Sequence, residues 1–177
     1  MAGECDLALA DLIHRAQSGD CKCQFELALR FKGGNGVPLS AEKAASWLKL
    51  ASDQSYAPAQ ARLGWCYAEG YGVQQSWHDA IKWYRWAAEK NDSFAQYHLG
   101  RAYARGDGVP QSWENAAKWW GRAADREDVD AQALLGKCYE EGAGVAQSWD
   151  EAINWYRRAA MGAKIAPLPV FYVKSAW

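Results

Sequence analysis

Along this chain, apolar residues recur at helical spacing in short blocks, and paired glycines separate the blocks. The stretch from Ala57 to Ala88, APAQARLGWCYAEGYGVQQSWHDAIKWYRWAA, shows the pattern most fully. Ala59, Leu63, Cys66 and Tyr67 share one helical face, which predicts a leading helix near residues 57–69. Gly70 ends it, because a glycine just past a helix takes the left-handed conformation that closes orphan carbonyls at little cost. Gly72 follows, and Val73 anchors the loop. A trailing helix then starts near Ser76 and carries Ala80, Trp83, Tyr84, Ala87 and Ala88 on one face. It runs to about Glu89, before a tight turn at Asn91 and Asp92.

The same text returns as SFAQYHLGRAYARGDGVPQSWENAAKWWGRAA and as VDAQALLGKCYEEGAGVAQSWDEAINWYRRAA. Leu63, Leu99 and Leu135 set a period of 36, kept by Gln60, Gly64, Tyr67, Trp83 and their copies. A fixed period of this size means a stacked array of one supersecondary unit. Ser76 with Asp79 reads as an acidic capping box, Ser148 with Glu151 as the stricter form, and Ser112 keeps the cap with Asn115. Gly64 lies inside a helix, where glycine costs roughly 1 kcal/mol relative to alanine. Close approach is the expected reason: Ala80 and Ala87 pack on the bare backbone while Trp83 and Tyr67 fill the volume around it. Each helical pair leaves an apolar face and must stack on a neighbour.

This pattern divides the chain, as one solenoid domain, into a capping helix in 1–20, repeats at 21–56, 57–92, 93–128 and 129–162, and an irregular end at 163–177. Ala8, Leu12 and Ala16 fall two periods before Ala80, Tyr84 and Ala88, so residues 4–18 read as a lone trailing helix that shields the first repeat. That repeat is degenerate: Ala28 replaces the helix glycine and Ala41 the tryptophan after the cap. After Ala160 the pattern stops, and Pro167 and Pro169 disfavour a further leading helix. The apolar end is expected to cover the open end of the stack, or else to lie as an extended peptide in a groove.

The AQxxLGxxYxxGxGVxxSWxxAxxWYxxAA pattern resembles the Sel-1-like repeat, a relative of the tetratricopeptide repeat, over residues 21–160. LGxxY in the leading helix and the Ala80, Tyr84, Ala87 spacing carry the tetratricopeptide likeness; Gln60 stands where that family often has tryptophan. The resemblance implies an all-α, right-handed α/α superhelical solenoid whose members mostly act as adaptors and scaffolds. Cysteine-rich members pair a cysteine within every repeat, which this chain does not do, so their disulfides and penicillin-binding activity do not carry over.

Composition adds little that competes with this reading. The chain is 23% charged with net charge −1, which argues against nucleic acid as a main partner. No basic stretch leads into an apolar core at the start, so no signal peptide is expected, and the apolar run near Ile165–Val173 is far short of the ~20 residues of a membrane helix. Cys5, Cys21, Cys23, Cys66 and Cys138 are odd in number, and Cys66 and Cys138 lie two repeats apart; free thiols in a reducing, cytoplasmic setting are expected. Cys5, Cys21 and Cys23 with His14 lack the paired spacing of a zinc site, so neither metal nor cofactor is expected. His78 and His98 form no triad, the cap serines have their hydroxyls engaged, and the GxGV pairs follow a helix rather than a strand. An enzyme of hydrolase type is therefore the weaker alternative to a binding protein, and a structural protein self-associating through its tail is a third.

Tryptophans at 47, 77, 83, 113, 119, 149 and 155 recur by period and read as core, whereas Trp65, Trp86 and Trp120 break it and read as exposed anchors. By the tetratricopeptide likeness, the leading helices line the concave wall. The wall positions become Phe25, Leu29 and Lys32; Ala61, Trp65 and Glu69; Tyr97, Arg101 and Arg105; Ala133, Lys137 and Glu141, with Lys22 and Phe94 just before. Aromatics edged by Lys22, Lys32, Arg101, Arg105 and Lys137 suggest a protein or peptide partner bearing acidic and apolar or aromatic side chains, or a C-terminal carboxylate. The plain alternative is a solvated helix face with incidental charge.

Overall fold

The computed structural model describes residues 2–162, with side chains from residue 8 onward. The irregular end expected at 163–177 lies outside the described residues. Within them the chain forms nine helices and no strand: α1 (Ala2–Gln17), α2 (Cys21–Gly33), α3 (Ala41–Asp53), α4 (Ala57–Glu69), α5 (Trp77–Glu89), α6 (Ser93–Arg105), α7 (Trp113–Ala124), α8 (Val129–Glu141) and α9 (Trp149–Gly162). Four pairs, α2 with α3 through α8 with α9, stack in chain order, and each element packs chiefly on its neighbours in sequence. This is an all-α repeat superhelix.

Local chemistry sets the helix ends. Ser40, Ser76 and Ser112 accept hydrogen bonds from the backbone N–H three residues on, and Asp20, Asp92 and Asp128 do the same for the leading helices. The reciprocal half of the expected capping box is absent at Ser76, Ser112 and Ser148. Their backbone N–H groups instead donate to the carbonyls of Tyr67, Tyr103 and Tyr139, and so tie the two helices of a pair together. The leading helices end on left-handed Gly34, Gly70, Gly106 and Gly142.

The side-chain amides of Gln60, Gln96 and Gln132 each donate to a carbonyl eight residues earlier, those of Ser52, Ala88 and Ala124. These carbonyls belong to the last turn of the preceding helix or its end, where no intrahelical donor remains. Gln24 makes the same bond to the Ala16 carbonyl of α1. Ala16 is fully buried, and Leu12 and Ile13 pack with Cys23 and Leu27.

Close approach does explain the helix glycines: Ala80 is one of the partners as expected, and Tyr84 rather than Ala87 is the other. A Cβ on Gly64 would stand 2.8–2.9 Å from ring carbons of Tyr84 and 3.2 Å from the Ala80 carbonyl. Trp83 is not among the nearest atoms to that Cβ and lies in the core with Leu48, Ala51 and Leu63. Trp120 and Tyr156 take the place of Tyr84 against Gly100 and Gly136. Trp120 is therefore 3% exposed, not an exposed anchor, and it keeps the period of Tyr84.

Trp113 and Trp149 correct the expectation that periodic tryptophans are core, at 43% and 60% exposed. Ile153, Tyr156 and Met161 on α9 are open as well, although Ile81 and Tyr84, the counterparts of Ile153 and Tyr156, are buried. Trp113 is open although α8 and α9 follow it, whereas on α9 no later helix among the described residues packs over Ile153 and Tyr156.

Candidate functional site

The leading helices crowd together while the trailing helices stand apart. Lys32 of α2 lies 4.0 Å from the Trp65 ring centre on α4, and Arg62 of α4 lies 3.9 Å from that of Phe94 on α6. By contrast, α3 and α5 flank a cleft of about 650 Å3, lined by Lys49, Asp53, Lys82 and Trp86 among others. Lys49 of α3 also reaches to 5.6 Å from the Trp83 ring on α5. The leading helices α4 and α6, however, approach through their backbones more closely than any pair of trailing helices among the described residues, which places the leading helices on the inside of the bend.

The candidate wall residues do not behave alike. Lys22 is exposed in the first turn of α2; Phe25 and Leu29 are half-buried, and Phe25 meets Tyr56 edge-on at 5.5 Å. Ala61 is buried and offers no surface, whereas Ala133 is exposed. Trp65 is half-buried, with its ring 5.4 Å from Tyr71. Glu69 and Arg105 are exposed at the ends of α4 and α6. Lys137 and Glu141 face each other at 3.6 Å, four residues apart, and largely cancel.

What remains is a basic-aromatic strip across the first three repeats. Lys32 rests on Trp65, Arg62 on Phe94, and Arg101 at 5.8 Å from the Tyr97 ring centre. None of these cations, nor Arg105, has a carboxylate within 4.0 Å among the described residues. A cation held over an aromatic face keeps hydrogen-bond donors turned outward. Arg62 escapes the sequence reading because its periodic counterparts are Glu26, His98 and Leu134, a position with no fixed character.

His98 sits under this strip. Its ring stacks on Tyr84 at 5.3 Å and 6° and touches Phe94 and Tyr97 at 4.3 and 5.1 Å. Burial first, then nearby Arg101 and Arg62, push its pKa down to about 4 from 6.5. The imidazole is thus neutral and acts as a packing group. Because the unfolded chain takes up its proton near pH 6.5 and the folded chain only near 4, stability is lost as pH falls through that window. From pH 7.5 to 5.0 this group is expected to remove about 2 kcal/mol. His98→Phe should flatten that part of the pH dependence in urea melts. An unchanged pH profile would show that His98 is solvated.

No thiol or hydroxyl is poised for attack in this region. Burial raises the Cys66 and Cys138 thiols to about 11, and Cys23 is shifted upward by burial and by Asp20. Cys23 packs with Ala16 and Leu27. Ser76, Ser112 and Ser148 hydroxyls accept backbone bonds at 3.2–3.3 Å. No described helix is long and apolar enough to cross a membrane.

The model of the Sel1 repeat matches residues 21–56, 57–92, 93–128 and 129–163. Among solved structures, a protective antigen of uropathogenic Escherichia coli with an SLR fold is 34% identical with a TM-score of 0.83, over 87% of this chain and 33% of that one. A Sel1 repeat protein from Oxalobacter formigenes is 32% identical at a TM-score of 0.79, over 85% of this chain and 62% of that one. Cysteine rich protein B of Helicobacter pylori, 21% identical at 0.56 over 70% of this chain and 91% of that one, shares the fold alone. This chain spans a third and just under two thirds of the length of the first two. None of the curated proteins matches it. With four repeat matches over most of its length, the chain belongs to the Sel1 repeat family.

Proposed function

We propose that this protein is a non-enzymatic adaptor that holds an acidic, aromatic-bearing segment of a partner protein against the inner wall of repeats 1 to 3. The family typically supplies protein–protein interaction scaffolds. The observation that carries the finer reading is the strip of Lys32, Arg62, Arg101 and Arg105, three of them raised on aromatic rings and none neutralised among the described residues. Aromatic and arginine side chains are those that most often carry interface energy. Phe25, Leu29 and Tyr97 give the strip an apolar floor, and Lys22 extends it toward the first turn of α2. Repeat 4 contributes less net positive charge, because Glu141 stands 3.6 Å from Lys137 in an exposed pair. Buried thiols and the absence of a membrane-length helix among the described residues are compatible with a cytoplasmic setting.

A random-peptide display library panned on the full chain is expected to enrich aspartate and glutamate beside aromatic residues. Enriched peptides should lose at least about tenfold in affinity, roughly 1.4 kcal/mol, on Trp65→Ala combined with Arg101→Glu. They should also bind more weakly as salt rises. Enrichment of neutral sequences, or unchanged affinity in a folded double variant, would overturn the reading.

A further inference from the structure

Two equivalent junctions between leading helices differ in one respect that points to a ligand. Between α2 and α4, Trp65 and Tyr71 lie in the crevice with their ring centres 5.4 Å apart, and only about 10 Å3 stays open. One period later, between α4 and α6, the counterparts of those two residues are Arg101 and Asp107. There the crevice opens to about 160 Å3. Its apolar lining includes Trp77, Ala68 and Ala102, with the neutral ring of His98 beside them.

We propose that this open notch is an anchor site for one tryptophan or tyrosine side chain of a partner segment whose flanking residues are acidic. The proposal rests on the acidic-segment reading above and names the side chain that fixes its register. The first junction shows that this kind of crevice accepts an indole and a phenol ring. Arg101 and Arg105, one turn apart on α6 and free of carboxylates within 4.0 Å among the described residues, stand at the rim to meet the flanking acids. Glu69 and Asp107 also line the notch. They disfavour a carboxylate inside it but offer acceptors to an indole N–H or a phenol O–H, so tryptophan and tyrosine should outrank phenylalanine. Gln75, whose Nε2 donates to the Ala68 carbonyl at 2.8 Å, leaves its Oε1 on the same lining as a further acceptor.

The test uses fluorescein-labelled synthetic peptides with a single tryptophan among aspartates and glutamates, and counterparts with phenylalanine or alanine in its place. Fluorescence anisotropy with the full chain at low salt is expected to show the tryptophan peptide binding at least about tenfold more tightly than the alanine peptide, with phenylalanine between them. Asp107→Tyr restores the ring that closes the first junction and removes a negative charge. Charge alone predicts tighter binding of every peptide to that variant; a filled notch predicts that the tryptophan peptide falls to the level of the alanine peptide. Equal binding of all three peptides, weakened alike by Arg101→Glu, would overturn the notch and leave the basic wall standing. No binding of any peptide would overturn both.

Discussion

Gly72→Ala is expected to destabilise the protein by about 2–5 kcal/mol and to separate the melting of repeat 1 from that of repeat 2. Two costs combine. Gly72 has φ +71°, a conformation in which an L side chain costs roughly 1–2 kcal/mol. Its added Cβ would also land on the backbone carbonyl of Ala41 at the start of α3. Overpacking costs about 1–3 kcal/mol, and here the obstacle is backbone, which has no rotamer to give way. Gly70→Ala is the internal control. It has nearly the same φ, +69°, but its Cβ would meet the Gln75 Cβ at 3.3 Å and nothing closer. There the conformational cost is joined only by a mild squeeze on a side-chain atom that can shift by a few tenths of an ångström. The same contact joins Gly108 to Trp77 and Gly144 to Trp113, so the second loop glycine is the point where one repeat seats on the last. In a stack whose stability is a sum of repeats and interfaces, weakening one interface should broaden or split the urea transition. If Gly72→Ala proves no worse than Gly70→Ala, backbone seating is not what couples the repeats.

Those seats explain what the sequence shows and what it hides. The period, the left-handed glycines and the capping serines are local requirements, repeated each time the unit is used, so they are readable from one chain. Exposure is not local. Trp77, Trp113 and Trp149 are the same residue at the same position, yet exposure rises to 60% at Trp149, the last of them, because no described repeat covers it. Trp120 is hidden for another reason: it stands beside Trp119, and residue type draws attention to the tryptophan column rather than to the tyrosine column it belongs to. Arg62 has no column at all. Its role depends on Phe94 arriving from the next leading helix at 3.9 Å, which only packing can bring about. The Lys137 and Glu141 pairing, by contrast, is legible in their four-residue spacing, and it offsets charge that a count of single residues assigns to the wall.

Trp120→Ala should cost about 3–5 kcal/mol, the usual range for emptying a buried tryptophan site. Its ring is 3% exposed, lies in the core with Ala116, Ala123 and Leu135, and donates its Nε1–H to the Tyr97 carbonyl at 3.2 Å. The ring also lies directly over Gly100, where an added Cβ would collide with it. Gly100→Ala in the parent protein therefore sets a helix-propensity gain of about 1 kcal/mol against an overpacking cost of about 1–3 kcal/mol, and a net loss is expected. Once Trp120 is alanine, the collision is gone and the propensity gain stands alone. The double variant should then be more stable than Trp120→Ala by itself, a coupling of the size seen only between residues in contact. Gly121→Ala gives the uncoupled reference, since its nearest neighbour would be Leu135 Cδ2 at 4.0 Å; it should stabilise the protein by roughly 0.5–1 kcal/mol. Urea denaturation of the five proteins measures all of this at once. If Gly100→Ala is neutral or stabilising while Trp120 is present, the indole does not sit on that helix, and the recurrence of glycine at this position needs another cause.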